Sequence, residues 1–133
     1  MYSLLPGTVI FVYIGIIRHV GIVTDRYENG KPMVISNSLR KMGVYEESWD
    51  GFACGKEVHV LEYSSPLNPD FILSKARSML GSKWNPLKWN CEHFVTWSLN
   101  TKPHSPQLRL VAICAAVGIG ISIFGKYLKP NRV

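Results

Sequence analysis

The chain has 133 residues, three cysteines and a formal net charge of +6. That length gives one domain with room for a core, and the widely spaced Cys54, Cys91 and Cys114 exclude both a disulfide scaffold and a Cys-x-x-Cys zinc site. The positive charge favours an anionic partner. Because the cations are scattered and no nucleic-acid module shows its fingerprint, the expected partner is a lipid surface and not nucleic acid.

The N-terminus lacks a basic region before its apolar residues, and Pro6-Gly7 interrupts it early, so a secretory leader is not expected. Leu5-Pro6-Gly7 reads as a turn. Thr8 to Ile17 is rich in Val, Ile, Phe and Tyr and suits a buried strand. Val20 to Thr24 is a second strand after Arg18-His19. Tyr27-Glu28-Asn29-Gly30 carries an Asn-Gly hairpin signal, with Pro32 to Ser38 as the returning strand. Leu39 to Gly55 has no clear period and reads as a long loop anchored by Val44, Trp49 and Phe52. Lys56 to Tyr63 alternates as a further strand. Asp70 to Leu80 is helical, with Pro69 in its first turn and Gly81 as its stop. The expected fold class is α+β, a small antiparallel sheet packed against helices.

The second helix runs from about Asn90 to Leu99. Asn90 is a good N-cap, and Cys91, Val95 and Leu99 recur at four-residue spacing on one face beside Phe94. Cys91 therefore falls at the first helical position, where free N–H groups and the helix dipole favour a thiolate. It reads either as a nucleophile or as a small buried hydrophobe. A nucleophile needs a base. His93 is two residues on, about 200° around the helix, and points away; it is expected to pack or hydrogen-bond locally. His104 lies in a proline-containing linker. His59 shares a strand face with Glu57 and reads as solvated. His19 opens an apolar strand beside Gly21, which leaves room for another element to approach. It ranks first.

Asn90-Cys91-Glu92-His93-Phe94 resembles the signature of the lecithin:retinol acyltransferase-like proteins, the permuted branch of the NlpC-type papain-like superfamily. His19-Val20-Gly21-Ile22-Val23 is similar to the family's histidine strand, and the order, histidine before cysteine, is the permuted one. Leu5-Pro6-Gly7 resembles its opening turn, although Thr8 stands where an aspartate is common. The resemblance spans roughly Leu4 to Leu99. It implies Cys91 as nucleophile and His19 as base, with no metal or organic cofactor. Family members usually carry a second histidine on the next strand, where this chain reads Val34-Ile35-Ser36-Asn37-Ser38. Ser36 aligns with the missing residue. Asn37 has the chemistry to accept an imidazole N–H, as in a Cys-His-Asn triad, and only one of the two can face His19. The third position is thus Asn37 on chemistry or Ser36 on alignment.

Leu110 to Gly125 is an uncharged apolar run, with Arg109 before it and Lys126, Lys129 and Arg132 after it. It is slightly short of the usual span of about 20 residues, and Tyr127-Leu128 extends it if Lys126 snorkels. The expected organisation is a papain-like domain over 1–100, a linker over 101–107 and a hydrophobic membrane-anchor helix with a basic tail over 108–133. The protein is expected to be membrane-associated through a C-terminal single pass, its domain cytoplasmic. The family resemblance implies a cysteine-dependent acyl hydrolase or acyltransferase working through a thioester on Cys91, and with the tail it implies membrane phospholipid as the substrate. The alternatives are a peptidase or amidase of the same superfamily, and a non-catalytic membrane protein that keeps the fold.

Overall fold

A computed structural model describes residues 4–63, 65–100 and 102–127, with side chains described as far as residue 118. Five strands form one antiparallel sheet: β1 (Val9–Ile14), β2 (Ile17–Glu28), β3 (Lys31–Ser38), β4 (Gly43–Glu47) and β5 (His59–Leu61), in the order β4-β3-β2-β1-β5. Four helices accompany it: α1 (Trp49–Ala53), α2 (Pro69–Ser78), α3 (Cys91–Ser98) and α4 (Pro106–Tyr127). The α+β class read from the sequence is the observed one.

The period of two along the central strands sorts side chains onto two covered faces. Val9, Phe11, Val20, Ile22 and Ile35 pack against Ile72, Leu73 and Ala76 of α2 and Phe94, Val95 and Leu99 of α3. Ile10, Val12, Val23 and Val34 pack against Trp49, Phe52 and Ala53 of α1. This double burial explains the near-continuous apolar runs and the weak alternation. Phe94 is fully buried; truncating it to alanine would cost about 3–5 kcal/mol and loosen α3 from the sheet.

Three local expectations are corrected. The run Thr8 to Ile17 is not one strand, because the chain turns at Gly15-Ile16 and pairs Ile14 with Ile17. Arg18 and His19 therefore lie inside β2. The supposed loop Leu39 to Gly55 holds β4 and α1. β4 pairs with β3 from Val34 opposite Glu47 to Ser38 opposite Gly43. α1 is capped by Ser48, whose hydroxyl accepts from the Gly51 N–H.

α4 begins at Pro106 and bonds to the domain through its first turn, as described below. Residues 109–118 are exposed on every side. Among the described residues no helix is long and apolar enough to cross a membrane. The expected single-pass anchor is thus not seen among them, and it draws also on side chains beyond Gly118, which lie outside those described.

Candidate active site

Cys91 occupies the first position of α3 because Asn90 caps it. Asn90 Oδ1 accepts the N–H groups of Glu92 (3.0 Å) and His93 (3.2 Å). His93 Nδ1 in turn accepts the Asn90 N–H at 3.1 Å, completing a capping box. His93 therefore serves the cap, as its helical position implied. The cap leaves the Cys91 N–H at the helix end as a donor.

His19 sits on β2, on the face opposite to Arg18 and Val20. Its ring packs on Phe52 of α1, with centroids 5.1 Å apart. Gly21 makes that approach possible, since a Cβ there would meet Val34 Cγ1 at 2.7 Å and Phe52 Cε2 at 2.8 Å. The room inferred beside His19 is thus filled by α1. His19 Nε2 lies 3.4 Å from Ser36 Oγ.

His19 and Cys91 line one cavity of about 350 Å³, walled by Ile14, Ile17, Leu39, Trp84, Leu108 and Val111. They do not hydrogen-bond to each other. The Cys91 thiol points at the Arg18 carbonyl, 3.9 Å away, and the imidazole at Ser36. The paired register of β2 with β3 runs to Ile22 opposite Ile35, so His19 lies beyond the last pair, where the cavity reaches it.

Asn37 is not at the imidazole. It lies on the other face of β3, where its Nδ2 donates to the carbonyls of Trp89 and Asn90. It ties β3 to the segment that enters α3. The residue next to His19 is Ser36, the one favoured by alignment. Of the remaining histidines, His59 stacks on Phe11 at 5.1 Å. His104 is exposed, with Nδ1 2.9 Å from the Lys102 carbonyl oxygen.

The electrostatics correct one expectation. Burial pushes the Cys91 thiol up, and the neighbouring Glu92 charge adds to this; the N–H groups of Val20, Glu92 and Cys91 pull the other way and do not prevail. The helix N-terminus is present, but desolvation of the thiolate outweighs it. Burial, seconded by the Arg40 charge, lowers His19 to about 4. Both groups are therefore neutral at pH 7.

Sequence reasoning missed a buried clamp below the cysteine. Glu92 Oε1 accepts the Ser105 hydroxyl at 2.7 Å and the Gln107 N–H at 2.9 Å. The Gln107 carboxamide then pairs with the Arg18 backbone: Oε1 accepts the N–H at 2.6 Å and Nε2 donates to the carbonyl at 2.7 Å. Ser105 also accepts from Asn90 Nδ2 at 3.2 Å. The start of α4 thereby joins the histidine strand to the cysteine helix. A polar linker segment carries no periodicity, and the burial of Glu92 that calls for these partners is visible only in the fold.

A sequence profile described as lecithin retinol acyltransferase matches residues 7–104 of the chain. Comparison with curated proteins finds no match.

Proposed function

The chain belongs to the lecithin retinol acyltransferase family, and from that premise we propose that it is a thiol-dependent hydrolase or acyltransferase that takes an acyl group from membrane phospholipid. The carrying observation is the single cavity that holds both Cys91 and His19 between apolar walls. Such walls suit a hydrocarbon chain better than a peptide.

In this reading the resting pair is neutral, so His19 acts as a general base during attack and not as half of a preformed ion pair. An ester carbonyl enters the cavity. The imidazole swings from Ser36 toward the thiol and takes its proton as sulfur bonds to the carbonyl carbon. The Cys91 N–H receives the developing oxyanion. The imidazolium returns the proton to the leaving alcohol, and the carbonyl re-forms as a thioester. Water, or a second alcohol or amine, then loses its proton to His19 and attacks the thioester carbonyl; Cys91 leaves as thiolate and takes that proton back from the imidazolium. Water gives a hydrolase and the other acceptors a transferase. Uncharged, exposed residues 110–118 of α4 support placement of the domain at a bilayer.

One observation favours a second reading. Cys91 and His19 are not hydrogen-bonded, and Ser36 stands where the family places a histidine, as a fold retained without catalysis would allow. Incubation with labelled phospholipid vesicles and, separately, labelled peptides separates the readings. Release of fatty acid or its transfer supports the proposal; cleavage of peptides alone indicates an amidase, and no product from either indicates a non-catalytic protein.

A further inference from the structure

The two hairpins at the ends of β2 have opposite tips. The β2–β3 turn is Asn29-Gly30, both with positive φ (52° and 73°), flanked by Glu28 and Lys31. That is the usual polar chemistry of a two-residue turn. The β1–β2 turn is Gly15-Ile16, with positive φ at Gly15 alone (63°), flanked by Ile14 and Ile17. The glycine at the first central position permits the turn. Nothing in the backbone demands isoleucine at the second.

The three isoleucines are also bare. Ile14 is 54%, Ile16 96% and Ile17 59% exposed, with Tyr13 exposed beside them. Stability does not account for Ile16, because it is almost wholly in water. Their position does suggest an occupant. Ile14 and Ile17 line the Cys91 cavity, and so do Leu108 and Val111 of α4. α4 is held there by the Gln107–Arg18 pairing, one residue from Ile17. Its residues 110–118 are exposed and uncharged on all sides. A single protein groove covers one face of a helix; a surface apolar all round calls for a medium that surrounds it. The cations Arg18 and Arg109 flank these two elements, which suits phosphate headgroups outside an acyl layer.

We propose that the Gly15-Ile16 hairpin tip is a lipid-contact element that enters the acyl–headgroup boundary, so that the Cys91 cavity opens onto the bilayer. This rests on the lipid reading above for its purpose, but its test does not depend on turnover. The polar Asn29-Gly30 tip, at the far end of the 12-residue β2, faces away from the membrane and serves as an internal control.

The experiment uses the full chain. Ile16→Trp and Asn29→Trp proteins are mixed with anionic phosphatidylcholine–phosphatidylglycerol vesicles carrying brominated acyl chains, and their fluorescence is compared with that of the parent protein. The added tryptophan at position 16 should shift to the blue and be quenched; the one at position 29 should do neither. In parallel, Ile16→Asp should raise the KM for vesicle phospholipid about tenfold or more, with hydrolysis of a short water-soluble ester unchanged. An unquenched Ile16→Trp protein, or equal quenching at both tips, overturns the proposal. So does a blue shift that depends on protein concentration without lipid, which would make the tip a contact between copies. Quenching at position 16 in a protein that turns over no lipid upholds the contact while removing the lipid-enzyme reading.

Discussion

The carboxamide of Gln107 pairs with the backbone of Arg18 as a neighbouring strand would, with bonds of 2.6 and 2.7 Å. Arg18 adjoins His19, and its carbonyl is also the group the Cys91 thiol points at. One side chain from the start of α4 thus fixes the backbone between the two groups that must meet. Gln107 lies outside the residues 7–104 that carry the family match.

Gln107→Ala should lower stability by about 1–3 kcal/mol, since it strips two partly buried bonds from the Arg18 peptide. It should also lower kcat more than it raises KM, because the alignment of His19 and Cys91 is lost while the cavity walls remain. Thermal unfolding and steady-state kinetics on a soluble ester measure both. A loss of stability with unchanged kcat would make Gln107 a fold residue only.

Ser36 and Asn37 divide the roles that chemistry and alignment left open. Asn37→Ala should act mainly on stability, by about 1–3 kcal/mol, because it removes the two bonds by which the buried Asn37 amide ties β3 to the half-buried carbonyls of Trp89 and Asn90. Ser36→Ala should leave stability nearly unchanged and reduce kcat, because it removes the hydroxyl 3.4 Å from His19 Nε2. Paired unfolding and kinetic curves for the two variants distinguish the assignments. The reverse pattern would return the orienting role to Asn37.

The pH dependence follows from His19. Its folded value of about 4 lies below the ordinary 6.5, so between these values the unfolded chain binds a proton that the folded one refuses. The stabilisation is complete above pH 6.5 and drains away as pH falls toward 4; its upper bound is roughly 3 kcal/mol. The acid limb of kcat/KM should likewise lie near pH 4, where the base becomes protonated. Urea unfolding and kinetics between pH 4 and 8 check both. An acid limb between pH 6 and 7 would mean a solvated imidazole.

What the sequence disclosed tracks what local chemistry controls. Asn90 announces the start of α3 because capping is a short-range effect, and the same local logic removes His93 from candidacy. β4 and α1 escaped notice because tertiary contacts define them: β4 is a five-residue strand completed by β3, and α1 is barely more than one turn. The strand split at Gly15-Ile16 was hidden because its turn residues are apolar. The Cys91 thiol was expected to be lowered from its helix position alone, whereas its value depends on burial by groups distant in sequence. The choice between Ser36 and Asn37 needed the strand register, and the Glu92–Ser105–Gln107–Arg18 clamp spans contacts of up to 89 residues in separation.

The most direct test of the central claim is to capture the acyl group on Cys91. The full-length protein is mixed with phospholipid vesicles of a single defined acyl chain, quenched in acid, and analysed by intact mass and peptide mapping. The account predicts one acyl group added, on the peptide containing Cys91 and removable by hydroxylamine. Cys91→Ser should give no such hydroxylamine-labile adduct, and His19→Ala should form it far more slowly. Turnover of phospholipid by the Cys91→Ser protein, or an acyl group found on Cys54 in place of Cys91, would contradict it.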